Sequence, residues 1–345
     1  MKLAFVNHTF LSGGGPDRVI YEIAERLKNK YDITILSSKN YLRIEKINNE
    51  YLPCPEIFRF PTPFPSPITV KKLRKFDVIN IHYLPFIYLS LLSTKPKILT
   101  FHGWTNVPER EKTSKLLLII REKILDINGR LTCFASTVVT VSEYLKKIAQ
   151  KWNSNVLVIP NGVDTTLYRP GEDRGYILYV GRLVEYKGVH ELIQIASKLG
   201  IELHIAGSGP ELARLTKLTK DLKIKDKVIF LGRIPEKDLI SQYRNCSFFV
   251  SASKWEGFGI PFLEANSCGK PVIGYNRAAI PERITNGQNG FLVNNYNELE
   301  VQVRILSTES KIRKKMGSEG RKIAETYDWN IIADKYDKLF QQVRM

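Results

Sequence analysis

The stretch that decides the fold spans residues 255–265, with the sequence WEGFGIPFLEA. It follows the apolar run SFFVS at 247–251, which predicts a buried strand. A proline at position 261 favours the first turn of a helix, so Pro261–Asn266 is predicted to be helical. The two glutamates of the segment then lie on different elements of this strand–loop–helix unit. Glu256 lies in the glycine-rich loop, and Glu264, eight positions later, lies on the helix.

The chemistry of this segment suits a ligand that carries hydroxyl and phosphate groups. Gly257 and Gly259 let the backbone approach a ligand closely, and the N–H groups at the start of the following helix attract phosphate. The carboxylates of Glu256 and Glu264 can accept hydrogen bonds from sugar or ribose hydroxyls. Solvated glutamates of an ordinary α/β unit would explain either residue alone. The complete segment is more specific, and it predicts a sugar-nucleotide site.

Outward from this segment, strand-like apolar runs alternate with helical patterns, which indicates parallel sheets covered by helices. The predicted strands of the first half are Leu3–Asn7, Ile33–Ser37, Val78–His82, Lys97–Phe101 and Thr137–Val141. Those of the second half are Tyr176–Val180, Glu202–Ala206, Val228–Leu231, Ser247–Ser251 and Pro271–Gly274. The fold class is therefore α/β with two doubly wound domains, and 345 residues are enough to give each domain its own core.

The domain boundaries follow from composition and periodicity. We predict a first domain over residues 1–168 and a second over 169–326, because Pro, Gly and charged residues cluster at Arg169–Asp173 before a new strand. Residues 327–345 are predicted to form a final helix. Its apolar positions recur at helical spacing and are Ile331, Ile332, Tyr336, Leu339 and Phe340.

The net charge is +17, and residues 1–170 hold most of this excess, with 25 basic and 14 acidic side chains. Such basicity is compatible with an anionic lipid surface, a phosphate-bearing acceptor or nucleic acid. No nucleic-acid-binding motif, zinc-finger spacing or basic heptad region occurs, so nucleic acid is not expected as a partner. A membrane-surface or phosphate-bearing acceptor and an ordinary solvated surface remain equally open explanations.

Sequence signals for targeting and for metals are weak. The longest uncharged stretch, Val78–Thr94, falls short of the ~20 residues of a transmembrane helix, and the N-terminus enters directly on a strand pattern. We therefore expect a cytoplasmic protein, with peripheral attachment to the inner face of the membrane as an open alternative. The four cysteines form no Cys-x-x-Cys pair, which argues against a zinc site or a disulfide framework.

Segment 255–265 resembles the motif of two glutamates separated by seven residues in retaining GT-B glycosyltransferases of the family-four type, the glycosyl transferases of group 1. Further strings follow the order of that family, namely GRLVEYKG at 181–188, IAGSGP at 205–210, FLG at 230–232 and IPE at 280–282. The resemblance covers nearly the whole chain and is strongest over Asn161–Val293. It implies two Rossmann-like domains that face a central cleft, with the C-terminal helix crossing back to the first domain.

The resemblance also implies roles for individual residues. Arg182 and Lys187 would meet the donor diphosphate and neutralise the charge that builds on the leaving nucleotide. Glu264 would accept from the ribose hydroxyls, and Glu256 would face the donor sugar or its phosphates. His102 resembles the histidine of the family's cleft and is favoured over His82 and His8. The predicted catalytic set is His102, Arg182, Lys187 and Glu256, and the remaining predicted donor-binding residues are Gly14, Gly15, Gly207, Arg233, Phe258, Gly259 and Glu264.

The expected reaction is transfer of a hexose from a UDP or GDP sugar to a glycan or lipid-linked acceptor, with retention of configuration. No metal or other cofactor is expected, because no Asp-x-Asp pair occurs in the sequence. Two alternatives stay open: synthesis of a soluble disaccharide or polysaccharide, and a non-catalytic nucleotide-sugar-binding subunit. The chain departs from the family at Glu185-Tyr186, where Pro-Glu is usual, and at Ala278-Ala279, where Gly is frequent.

Overall fold

The structure is a computed structural model that describes residues 1–10, 15–40, 42–52, 56–57, 60–61, 71–82, 95–103, 123, 126, 129–130, 132 and 135–344. These residues form two compact units. The second unit is Gly162–Asp328, and the first consists of the described residues before it together with the C-terminal helix. Each unit is built on one parallel sheet.

The first unit contains a seven-stranded parallel sheet in the order β11-β10-β9-β8-β1-β3-β5. Its strands are β1 (Lys2–Val6), β3 (Asp32–Ser37), β5 (Asn48–Tyr51), β8 (Val78–Ile81), β9 (Lys97–Phe101), β10 (Thr137–Thr140) and β11 (Val156–Val158). Two short pairs accompany it, β2 (Thr9–Phe10) with β4 (Lys39–Asn40), and β6 (Glu56–Ile57) with β7 (Phe60–Pro61). Among the described residues, its helices with assigned bounds are α1 (Gly15–Leu27), α2 (Glu143–Ala149) and the C-terminal α9 (Trp329–Arg344).

The second unit contains a six-stranded parallel sheet in the order β14-β13-β12-β15-β16-β17. Its strands are β12 (Ile177–Val180), β13 (Leu203–Ala206), β14 (Val228–Gly232), β15 (Phe248–Ser251), β16 (Val272–Tyr275) and β17 (Gly290–Val293). The helices are α3 (Val189–Leu199), α4 (Leu212–Asp221), α5 (Glu236–Asn245), α6 (Ile260–Ser267), α7 (Tyr296–Thr308) and α8 (Ser310–Glu325). Short 3-10 turns occupy Glu185–Lys187 and Ile280–Glu282.

The predicted strands agree with the observed ones to within about two residues, because the buried runs of a parallel sheet are continuous and apolar. Strands β11 and β17 were not predicted, and neither was β5. Its sequence, NNEY, lies at the edge of the first sheet with partly exposed side chains, and it therefore has no apolar pattern. The two doubly wound α/β units of the prediction are confirmed.

The C-terminal helix α9 packs against the first unit, as predicted. Trp329, Ile332, Tyr336 and Phe340 are buried in the same apolar cluster as Phe5 of β1. Because Ile331 follows the opposite side of the helix, it is 42% exposed and does not contribute to this core.

In each sheet the order of the strands reverses at one point. Strand β1 is followed outward by β3 and β5 on one side and by β8 to β11 on the other, and β12 is flanked in the same way by β13 and β15. Ligands of open α/β sheets bind beyond the carboxyl ends of the strands at such switch points. The two reversals, β1/β8 and β12/β15, therefore direct the search for a site.

Candidate functional site

At the β12/β15 switch point, the loops that follow the two strands are locked together. The amide of Lys254, in the loop after β15, donates to the carbonyl oxygen of Tyr186 at 2.8 Å. Gly188 has a φ of +65°, and a Cβ atom there would lie 2.4 Å from the carbonyl oxygen of Ala252. Only glycine permits this approach, which brings the 3-10 turn Glu185–Lys187 against the loop after β15.

This approach joins two of the predicted catalytic residues. The Nζ atom of Lys187 lies 2.6 Å from Oε1 of Glu256, and the two side chains are only 13% and 16% exposed. Lys187 Nζ also lies 5.3 Å from the centre of the Tyr186 ring, at a distance that permits a cation–π contact. Charges screened this little by water interact more strongly than a surface pair. Glu256, predicted from the sequence to face the donor, is thus bonded to Lys187.

The neighbouring Arg182 is exposed two residues after the end of β12. Its carbonyl oxygen accepts a hydrogen bond from the buried Tyr179 hydroxyl at 3.1 Å. Burial, and next to it the negative charge of Glu256, raises the pKa of Tyr179 well above its usual value. The hydroxyl therefore keeps its proton and holds the Arg182 backbone in place.

Glycines cluster where β12, β13 and β14 end. Gly207 has a φ of +139°, and a Cβ atom there would lie 1.9 Å from the carbonyl oxygen of Gly181. The amide of Gly207 donates to the carbonyl oxygen of Gly232 at 2.8 Å. Arg233 follows Gly232 and is exposed. These contacts explain why glycine occupies position 207, and a contact of Gly207 or Arg233 with the nucleotide stays a prediction.

The predicted helix of the opening segment exists as α6. Gly259 precedes it with a φ of +87°, no side chain caps its first turn, and Pro261 lies in that turn. Glu264 is buried on this helix. The pKa of Tyr243 is raised well above its usual value, first by the burial of Tyr243 and next by the charge of Glu264. The side chain of Phe258 is also buried, so this residue contributes packing, and a contact of its backbone amide with the donor stays a prediction.

Sequence reasoning missed Arg283, which packs on Phe258. Its guanidinium carbon lies 4.2 Å from the centre of the Phe258 ring and 4.8 Å from that of Tyr327. Burial lowers the pKa of Arg283, and Glu282 lies 3.6 Å from its Nη2 atom. The sequence offered one signal for Arg283, its position directly after the IPE string. Nothing in the sequence indicated that it packs between the rings of Phe258 and Tyr327.

Of the two alanines that depart from the family, Ala279 contacts the site and Ala278 has an unusual backbone conformation. Ala278 adopts a φ of +51°, the left-handed conformation that glycine would adopt without strain. The amide of Ala279 donates to the carbonyl oxygen of Glu256 at 3.2 Å. The loop after β16 therefore supports the backbone of Glu256 in spite of the missing glycines.

In the first unit, the predicted His102 has a partner that the sequence did not indicate. Nε2 of His102 lies 3.0 Å from Nδ1 of His82, and the two rings stack with centres 5.2 Å apart. Burial lowers the pKa of His102 to about 4, and burial together with His102 lowers the pKa of His82 well below its usual value. From the sequence these two histidines are competing candidates, whereas the structure pairs them. His8 instead contacts Ser38, with 2.9 Å between Nδ1 and Oγ.

The remaining predictions are placed as follows. Gly15 begins α1, and Gly14 lies outside the described residues. Cys246 and Cys268 are buried thiols, while Cys54 and Cys133 lie outside the described residues. Within the described ranges, no group of three or more His, Cys, Asp or Glu side chains is arranged to hold a metal ion. No helix in the described part of the chain has the length and apolar character to cross a bilayer.

Two family models match consecutive parts of the chain, "Glycosyltransferase Family 4" over residues 13–167 and "Glycosyl transferases group 1" over residues 168–323. An uncharacterized glycosyltransferase of Methanocaldococcus jannaschii is 28% identical, covering 77% of this chain and 76% of the relative. N-acetyl-alpha-D-glucosaminyl L-malate synthase of Bacillus anthracis is 23% identical over 99% of this chain and 98% of its own length. The crystal structure of Anabaena HepE in complex with UDP and glucose is 20% identical, with a TM-score of 0.83 over 99% of this chain and 100% of that chain.

The chain belongs to the group 1 glycosyltransferases of the family-four type, and it is a transferase enzyme. The structural similarity to HepE, together with the two doubly wound units, identifies the GT-B architecture. The family and fold class expected from the sequence are thus confirmed.

Proposed function

We propose that this glycosyltransferase moves a hexose from a UDP or GDP sugar to a glycan or lipid-linked acceptor, with retention of configuration and without a metal ion. The observation that carries the proposal is the Lys187–Glu256 pair at the β12/β15 switch point. Arg182, which is exposed in the connection between β12 and α3 that also holds Lys187, is the second cation of the proposal. A diphosphate and a sugar are the ligand parts that two cations and a carboxylate would bind together.

The two cations are proposed to act on the leaving group. As the bond between the anomeric carbon and the phosphate oxygen breaks, negative charge grows on the diphosphate. A fixed cation therefore stabilises the transition state more than the bound donor. Lys187 is held by Glu256 and by the Tyr186 ring, so little reorganisation is needed when the charge develops. This role replaces the one that a divalent cation has in other transferases.

Retention follows from a front-face mechanism. The acceptor oxygen forms its bond to the anomeric carbon on the face from which the diphosphate departs, and the acceptor proton passes to the leaving phosphate oxygen. The enzyme then needs no carboxylate nucleophile and no protein base. Full activity in excess chelator is the expected result, and strict dependence on added magnesium or manganese would overturn the metal-independent mechanism.

The donor class has support from the similar HepE structure, which contains UDP and glucose. The nucleotide is tested by incubating the protein with UDP and GDP sugars and measuring release of UDP or GDP. The Lys187→Ala variant is expected to lose turnover while it stays folded. Lys198→Ala is the matched control, because Lys198 forms a lysine–glutamate pair with Glu300 at 2.7 Å elsewhere in the second unit. Equal activity of the two variants would contradict the proposed role of Lys187.

A second candidate function is transfer to a small soluble acceptor, favoured by the name of the Bacillus anthracis relative, N-acetyl-alpha-D-glucosaminyl L-malate synthase. The basic excess of residues 1–170 favours instead an acceptor at an anionic membrane surface, reached from the cytoplasm. Co-sedimentation with liposomes separates the two. Binding to vesicles with anionic lipid but not to neutral vesicles supports the lipid-linked acceptor, and no binding to either supports the soluble one.

A further inference from the structure

Two polar pairs, one buried and one partly buried, connect strands β8 and β9 on one face of the first sheet. The Thr100 hydroxyl donates to Oδ1 of Asn80 at 2.8 Å, and two residues further along both strands His82 meets His102 at 3.0 Å. Side chains two positions apart point to the same face of a strand, so the pairs form consecutive steps of one ladder. The step made by the histidines lies just beyond the carboxyl ends of the strands.

The position of this histidine step favours a role in the reaction. His82 follows β8, which borders the β1/β8 switch point. A buried polar group costs free energy unless it is bonded, and apolar side chains would fill the same space without that requirement. The ring of Phe5 packs beside His82, with centres 5.8 Å apart, so the surroundings of His82 are partly apolar. A pair of imidazoles at this position therefore indicates a role in the reaction as well as in packing.

The proton on His82 has two possible positions. Its Nε2 atom is buried and has no hydrogen-bond partner among the described residues. A proton on Nε2 would leave a buried N–H without an acceptor, which is rarer in proteins than an acceptor without a donor. A proton on Nδ1 is instead donated to His102. Nε2 of His102 then carries no proton, and the neutral His102 ring must carry its own proton on Nδ1.

We infer that His82 is a positioning residue, which holds His102 as the neutral tautomer with its proton on Nδ1. His102 would then meet the substrate as a hydrogen-bond donor, since its Nε2 lone pair is occupied by His82 and is not available as a base. This role in transfer rests on the proposed function. The tautomer itself does not, because it follows from the contacts of the two rings.

The tautomer is tested by two-dimensional NMR of the full chain labelled with ¹⁵N-histidine, at pH 7.5. The chain has five histidines, so the imidazole signals can be assigned with His82→Asn and His102→Asn variants. The expected spectrum shows a protonated Nδ1 and an unprotonated Nε2 for His102, and a protonated Nδ1 for His82. A proton on Nε2 of His102 would overturn the inference.

The positioning role is tested by kinetics. His82→Phe removes the donor and keeps a ring, and we expect kcat to fall about 10- to 100-fold, by analogy with the loss of the hydrogen-bond partner of a metal-bound imidazole. His82→Asn keeps an N–H near the position of Nδ1 and should recover most of the loss. Thr100→Val is the matched control, because it breaks the neighbouring step of the ladder. It should lower stability and leave both kcat and the His102 tautomer unchanged.

The results that would overturn the positioning role differ from those that would overturn the proposed function. Wild-type kcat in folded His82→Phe, or equal losses in His82→Phe and His82→Asn, would overturn the positioning role. If His82→Phe does not fold, His82→Asn and the wild-type NMR spectrum still test it. If the wild-type protein transfers no sugar from any donor, the proposed function fails, and the NMR experiment continues to test the tautomer.

Discussion

Breaking the Lys187–Glu256 ion pair tests the candidate site in depth. At 2.6 Å, and with an effective dielectric constant of about 20, the attraction between the two charges is about 6 kcal/mol before desolvation. Desolvation offsets much of this attraction, because both side chains are largely withdrawn from water. We therefore expect Glu256→Gln to lower the free energy of unfolding by about 1–3 kcal/mol, since it leaves Lys187 without its counter-charge.

A double-mutant cycle isolates the pair itself. The variants are Lys187→Met, Glu256→Gln and the double variant, and the free energy of unfolding is measured by urea denaturation with circular dichroism. We expect a coupling of about 1–3 kcal/mol. The control is the same cycle for Lys198 and Glu300, where Lys198 is 60% exposed and a coupling of under about 1 kcal/mol is expected. The reasoning is refuted when the two cycles give equal couplings.

Three further predictions follow from the contacts of the two units. In isothermal titration, UDP should bind about 10- to 100-fold more weakly to Lys187→Ala, because this variant loses a charge-assisted bond to the diphosphate. UDP should bind more tightly to Glu256→Gln, because this variant loses a negative charge that repels the diphosphate. Weaker binding to Glu256→Gln would contradict this prediction. Gly188→Ala should abolish turnover and lower the melting temperature, because its Cβ would meet a carbonyl oxygen at 2.4 Å. Gly287→Ala, with a φ of +78° and open space, should cost only about 1–2 kcal/mol. Finally, the pKa of His102 is lowered to about 4, so its contribution to stability is complete above the ordinary pKa of about 6.5 and is lost as the pH falls toward 4. The difference in urea midpoint between wild type and His102→Asn should shrink from pH 7.5 to pH 4.5, and a constant difference would count against it.

Segment 255–265 shows how far sequence reasoning reached. The strand before it, its glycine loop and its helix were predicted from an apolar run, two glycines and a proline, and all three elements are present. The alternation of strands and helices likewise predicted the two α/β units. The polar strand β5 was not predicted, because a strand at the edge of a sheet needs no apolar residues.

The contacts between side chains that are distant in the sequence could not be predicted in this way. Lys187 and Glu256 are 69 positions apart and meet because β12 and β15 are neighbours in the sheet, although two other strands separate them along the chain. His82 and His102 both lie at predicted strand ends, yet the family resemblance favoured His102 over His82 and gave no sign that the two rings meet. A useful signal was present, because each follows a buried strand directly and the carboxyl ends of neighbouring parallel strands lie at one edge.

The sequence by itself therefore determined the family, the class of fold and the residues that carry charge near the glycine-rich loops. These properties depend on local periodicity and on motifs that are contiguous in the chain. Only the tertiary structure decided that Glu256 bonds to Lys187, that Arg283 lies between two rings and that His102 is held by His82. The physical reason is that strand order and loop packing bring distant residues together, and a pattern of period two or 3.6 carries no information about which strands become neighbours.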